Sequence, residues 1–143
     1  MCSSDLTSED STLVQNYEIE ENEEILSGDA VMLLPSGLIA KSKSRSIYHN
    51  KSIGIAKQSG SGQEIILVQI SGRVVSDSYA FTKIGGQVYA RTNLYGINIT
   101  ENILDSPNFA EDMVICLGTI DSPNSFILEI VEFPYESGVL QQP

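Results

Sequence analysis

The same order of short strands and glycine turns occurs twice along this chain. Residues 28–70 run Gly28-Asp29-Ala30-Val31-Met32, a turn at Pro35-Ser36-Gly37, then Leu38-Ile39-Ala40 and Ile53-Gly54-Ile55-Ala56. A turn at Gly60-Ser61-Gly62 leads into Glu64-Ile65-Ile66-Leu67-Val68-Gln69-Ile70. Residues 85–133 keep that order: Gly85-Gly86-Gln87-Val88-Tyr89, a turn ending at Gly96, Ile97-Asn98-Ile99, then Cys116-Leu117-Gly118-Thr119-Ile120. A turn at Ser122-Pro123-Asn124-Ser125 closes the second copy with the apolar run from Phe126 to Phe133. Repetition of one unit constrains a fold strongly, because each copy must pair and pack in the same way. Short β-branched and aromatic runs between Gly, Pro, Asn and Ser clusters read as strands, and no apolar 3.6-residue period persists for three turns. The pattern predicts an all-β fold, a small barrel or compact sandwich of two related halves. Strands are expected near 30–34, 38–42, 53–57, 64–71, 73–75, 87–91, 97–99, 114–120 and 126–133.

Residues 28–133 form the expected barrel domain, preceded by an acidic N-terminal arm over 1–27 and followed by an irregular tail over 134–143. A chain of 143 residues, 41% of them hydrophobic, is one domain able to bury a core. No apolar run approaches the roughly 20 residues of a membrane helix, and the N-terminus lacks the basic and apolar regions of a secretory signal, so no membrane partner is expected. Of the two cysteines, Cys2 lies in the arm and Cys116 in an apolar strand. This predicts no disulfide, synthesis in a reducing cytoplasm, and a buried Cys116 acting as a small hydrophobe. The net charge of −11 opposes wrapping a nucleic-acid backbone. Its distribution says more: residues 1–29 carry nine acidic side chains and no basic one, whereas residues 41–57 carry Lys41, Lys43, Arg45, Lys51 and Lys57 and no acidic one. Asymmetry of this kind points to charged contacts.

Catalytic equipment is sparse. His49, the single histidine, has no acidic residue or cysteine within seven positions, so a general base would need a distant partner. No serine occupies a Gly-x-Ser-x-Gly elbow, and one histidine with two distant cysteines cannot close a zinc tetrahedron. The run Glu18-Ile19-Glu20-Glu21-Asn22-Glu23-Glu24 lacks the interleaved Asp/Asn/Gly loop that wraps calcium, and Glu111-Asp112 and Asp121 stand apart. Gly60-Ser61-Gly62 and Gly85-Gly86 open no helix and so read as hairpin and bulge glycines, not as phosphate cradles. Tyr48 amid the basic loop could stack on a base, but the overall charge opposes it. The residues therefore predict no cofactor, no metal and no enzyme.

The strand motifs Gly28-Asp29-Ala30-Val31, Gly37-Leu38-Ile39-Ala40, Ile53-Gly54-Ile55-Ala56, Ile70-Ser71-Gly72-Arg73-Val74 and Gly86-Gln87-Val88-Tyr89 resemble those of the small β-rich decoration and head-fibre-base proteins of tailed bacteriophages. The resemblance covers about residues 28–120 and brings no catalytic residues with it. It implies a non-enzymatic virion protein on the capsid surface, often a trimer, that decorates or cements the shell by bridging subunits of the major capsid protein. A tail or fibre-attachment component, with head fibres as partners, is the variant within that class. A carbohydrate-binding barrel is the alternative from another class, with Tyr48, Tyr79, Tyr89 and Tyr95 as stacking platforms in a chain without Trp. Three sets of contact residues follow from the residues themselves. Tyr17, Ile19, Ile25 and Leu26 are expected to anchor the arm on a neighbour, with a strand at 17–20 adding to a sheet edge. The basic loop residues Lys41, Lys43, Arg45 and Lys51 are expected to meet an acidic surface. Phe126, Leu128, Ile130 and Phe133 are expected to form an oligomer interface, because strand 126–133 is more apolar than one face of a small barrel needs.

Overall fold

A computed structural model describes residues 12–43, 50–91, 96–102 and 113–134. Arg45, Tyr48, His49, Tyr95, Glu111, Asp112, Cys2, most of the predicted tail and the first part of the predicted arm lie outside the described residues. The fold is all-β, a strongly curled antiparallel sheet that forms a half-barrel.

The strands are β1 (Leu13–Glu18), β2 (Glu24–Ile25), β3 (Ala30–Leu33), β4 (Ile39–Lys41), β5 (Ser52–Ala56), β6 (Gly60–Ser61), β7 (Ile65–Val75), β8 (Gln87–Ala90), β9 (Ile99–Thr100), β10 (Met113–Ser122) and β11 (Ser125–Pro134). Along the sheet the order is β4-β3-β5-β7-β11-β10-β8-β9, with β1 paired to β7 off this path and β2 paired to β6 in a small second sheet. In residues 28–75, β3 pairs with β4 and β5, and β5 pairs with β7. In residues 85–134, β8 pairs with β9 and β10, and β10 pairs with β11. The two halves thus use one pairing scheme and meet where β7 lies against β11. They also share a device. Gly54 in β5 faces β7, Gly118 in β10 faces β11, and a Cβ on either would overlap the partner strand's carbonyl oxygen, that of Gln69 or of Ile127. Glycine lets the backbones approach that closely.

Two apolar clusters result. The first lies between the halves and contains Phe126, Leu117, Ile115, Val88, Val74 and Tyr79, joined by Ala30 and Ile55 from the first half. Its aromatic centre is Tyr79, Phe81 and Phe126, with ring centroids 5.1 to 6.2 Å apart. The second cluster lies on the opposite face of the first half, where Val31, Ile39, Ala56, Ile66 and Val68 pack against Ile19 and Ile25. Strand β3 feeds both clusters, so Ala30, Val31 and Met32 are all buried.

Several expectations change here. Ile19 and Ile25 are fully buried in this chain's own core, so they are not anchors for a neighbour; residues 12–27 belong to the domain. The strand expected at 17–20 runs over Leu13–Glu18 and adds to an edge within the chain, that of β7. It was obscured because its side chains are mostly exposed and polar, which removes the alternation that marks a strand. Gly60–Ser61, read as turn, pairs with Glu24–Ile25 as β6. Phe126 and Leu128 are buried in the first cluster and Ile130 packs against it, so they serve the core. The alternate residues Ile127 and Val131 are the exposed ones, at 44% and 53%. Cys116 is half-buried on the outer face, with its thiol donating to Gln87 Oε1 at 3.0 Å. Burial pushes that thiol up from its ordinary value.

Candidate functional site

The polar chemistry of the molecule concentrates where the two ends of the curled sheet come together. Asp29, just before β3, is fully buried. Its Oδ2 accepts the Leu26 N–H at 2.7 Å, its Oδ1 accepts the Asn98 N–H at 2.9 Å, and Lys41 Nζ lies 3.3 Å from Oδ2. Burial pushes the Asp29 carboxyl above its usual range, and the two N–H donors and Lys41 only partly offset it. Asn98 works like a short length of strand. Its side-chain amide accepts the Ala30 N–H at 2.8 Å and donates to the carbonyls of Ala30 and Ser42 at 3.0 and 3.1 Å. Lys41 Nζ also donates to the Gly96 carbonyl at 3.0 Å, tying β4 to the loop before β9. Ser42 and Ser52 share a 2.7 Å hydroxyl contact, and the Ser52 N–H donates to Glu132 on β11 at 2.9 Å. Each polar group named in this seam has a partner, and together they join the two halves.

The basic loop meets acidic residues inside the same chain. Lys41 pairs with Asp29, and Lys43 lies 3.4 Å from Glu23, whose other oxygen accepts the Lys41 N–H. Lys51 is exposed and its ammonium makes no hydrogen bond or ion pair among the described residues.

A cleft of about 320 Å³ opens where β1 and β11 part from β7. Strand β7 pairs with β1 as far as Ser71 and with β11 from Gly72 onward. Gly72 has a φ of 92°, and a Cβ there would press on Thr12, the residue before β1, 2.9 Å from its Cα. Beyond Leu128, β11 pairs with β10 alone. Ile53, Ile70, Leu128 and Ile130 form the apolar floor, and Gln15, Tyr17, Lys51 and Glu129 stand at the rim. The Tyr17 hydroxyl donates to Gln15 Oε1 at 3.0 Å. Four residues that the sequence assigned to three separate contact sets, namely Tyr17, Lys51, Leu128 and Ile130, thus border one cleft. Leu26 instead lies at the turn holding Asp29, and Phe133 is half-buried near the end of β11, opposite Val114.

The outer face of the second half is a different kind of surface. Arg73, Ile127, Thr119 and Gln87 stand side by side across four strands, all exposed. A second row runs Val131, Cys116, Tyr89 and Thr100. Arg73 is held by Asp121 at 2.8 Å. Residues 19–25 cover the corresponding face of the first half, but no described segment covers this one. A smaller cavity of about 210 Å³ lies beside Tyr79, Phe81, Ile97 and Ile99. At its edge Glu101 is committed to the Thr82 and Lys83 N–H groups.

No group of three or more His, Cys, Asp or Glu side chains placed to hold a metal occurs among the described residues, and no helix long and apolar enough to cross a membrane occurs among them. Comparison of the chain with protein-family models, with curated proteins and with solved structures gives no match.

Proposed function

We propose that this chain is a non-enzymatic structural protein of a virion, a β-barrel-like module that decorates or cements a tailed-phage capsid by bridging subunits of the shell. The observation that carries the reading is the open outer face of the second half, a four-stranded surface with Ile127 and Val131 exposed. Exposed aliphatic side chains grouped on one sheet face mark interaction surfaces. The strand motifs that resemble the phage decoration proteins supply the identity of the partner. Each docked copy adds binding free energy that the shell must lose before it comes apart. Self-association as a trimer belongs to the same reading.

Electron cryo-microscopy of particles assembled with the protein tests it. Density for the chain across capsomer junctions, lost when Ile127 and Val131 are both replaced by Asp, is the expected result; undecorated shells after incubation with the intact protein would count against it. The carbohydrate-binding alternative is narrowed by the fold. Of the two candidates among the described residues, Tyr79 is buried with its hydroxyl donating to the Gly28 carbonyl at 2.9 Å, whereas Tyr89 is half-buried on the open face. A glycan array separates that alternative from the structural one.

A further inference from the structure

We infer that the cleft between β1 and the second half of β11 is a docking site for an extended peptide segment of a partner protein, which adds there as a strand and presents an acidic side chain to Lys51 and a basic one to Glu129. The inference goes beyond the capsid reading and does not depend on it.

Three features support that occupant. The first is the backbone. Strand β1 has a ladder partner only in β7, and β11 beyond Leu128 only in β10. The Ser52 N–H of β5 is held there by the Glu132 side chain and not by a ladder. Two strand edges without a second ladder partner among the described residues therefore border the same opening. Unpaired edges of this kind template strand addition, with main-chain hydrogen bonds supplying affinity. The second is the floor. Ile53, Ile70, Leu128 and Ile130 line an open hollow of about 320 Å³, near the lower end of the roughly 300–1,000 Å³ typical of small-molecule pockets. A hollow of that size suits one or two aliphatic side chains projecting from every second residue of a strand. The third is charge. Lys51 and Glu129 both stand at the rim, and neither ionised head makes a hydrogen bond or ion pair among the described residues. They form no ion pair with each other, and a segment carrying the two opposite charges satisfies both. Such rim charges set register and partner choice more than affinity.

The test is panning of the full chain against a displayed library of random linear octapeptides, repeated with Lys51→Glu and Glu129→Lys. Both substitutions alter exposed side chains and leave the fold intact, as a thermal melt verifies. The expected outcome is a family of peptides with alternating aliphatic residues, one acidic residue and one basic residue, the basic one exchanged for an acidic one in selection on Glu129→Lys. Their binding falls about tenfold or more in Lys51→Glu, and selection on that variant exchanges the acidic residue for a basic one. Amide exchange in the complex should slow at residues 13–18 and 129–133, which distinguishes strand addition from a side chain merely seated in the hollow. Absence of enrichment, peptides indifferent to both charge reversals, or protection confined to other strands would each overturn the inference. Because the readout uses peptides and the isolated chain, a failed capsid assay leaves this result standing, and the reverse also holds.

Discussion

At the residue scale the seam makes two signed predictions. Replacing Asn98 by Ala strips partners from the Ala30 N–H and the Ala30 and Ser42 carbonyls. Each buried group left unpaired costs about 1–3 kcal/mol, so urea unfolding should show a large loss. Asn98→Asp should do no better, because a carboxylate oxygen would then face two carbonyls. Asp29 governs the second prediction. Its folded-state pKa is raised above the ordinary 3.8, so the folded chain holds this proton more tightly than the unfolded chain does. The stability tied to that proton is fully present below pH 3.8 and is lost as pH rises through the raised folded value. Asp29→Asn cannot titrate there, and its amide nitrogen must replace one of two acceptors, so it is less stable at any pH. The advantage of the native protein over this variant should therefore widen on acidification and level off below pH 3.8. An advantage that narrows instead would show that the Lys41 pair outweighs burial. Glu101 is the contrasting case. Desolvation would raise its carboxyl, but N–H donors from Thr82 and Lys83 and the Thr82 hydroxyl hold it below its usual range. Its contribution is present at neutral pH and fades as pH falls through that lowered value.

At the element scale, strand β11 separates core from surface by the two-residue period of a strand. Phe126 sits opposite Val74 and Ile120, all buried, whereas Val131 sits opposite Cys116 on the open face. Truncating a buried Phe to Ala costs about 3–5 kcal/mol, and an uncompensated carboxylate costs more, so Phe126→Asp should prevent folding. Val131→Asp should change the melting midpoint by little, within roughly 0.5 kcal/mol. If the two variants unfold alike, the register of β11 is wrong. Residues 12–27 form the second element whose role is testable. Ile19 bridges to Ile39 in β4 and packs in the second cluster. Ile19→Ala should cost about 2–5 kcal/mol, as expected for a core aliphatic residue and not for a surface arm. A destabilisation under 1 kcal/mol, measured by chemical denaturation, would return this segment to the role of a partner-held arm.

At the scale of the whole molecule, charge and apolar surface oppose one another. A net charge of −11 makes copies repel, and Lys41 and Lys43, two of the eight basic side chains, are already paired within the chain with Asp29 and Glu23. Self-association through the open face is therefore expected to strengthen with salt, as the Debye length shortens from about 10 Å at 0.1 M to about 3 Å at 1 M. Sedimentation velocity at these two salt concentrations checks the sign, and an Ile127→Asp, Val131→Asp double variant should remain monomeric in both. Oligomers that dissociate on adding salt would place the contact on charges and not on this face.

Backbone type was readable from local chemistry. Alternating β-branched runs between Gly, Pro and Asn turns placed β3, β4, β5, β8, β10 and β11 within a residue or two of their positions, because strand and turn preferences are properties of a few adjacent side chains. The two strands expected at 64–71 and 73–75 are instead one, β7, continuous through Gly72. The doubled order of strands was equally visible. Facing, partner and closure were not. Which of Phe126 and Ile127 points inward depends on a register that bulges reset, between Cys116 and Gly118 in β10 and again near Ser122. That the acids of residues 18–29 meet Lys41 and Lys43 of the same chain depends on how Ile19 and Ile25 find a sheet face to cover. Asn98 reads in the sequence as one polar residue between two isoleucines, and its role as a stand-in strand arises only when the sheet curls until Ala30 and Ser42 lie beside it. The cleft is built from residues more than a hundred positions apart, Gln15 and Ile130 among them. Local sequence decides what each segment can be, and long-range pairing decides what it touches, since contact energies between distant segments exist only after the chain has closed on itself.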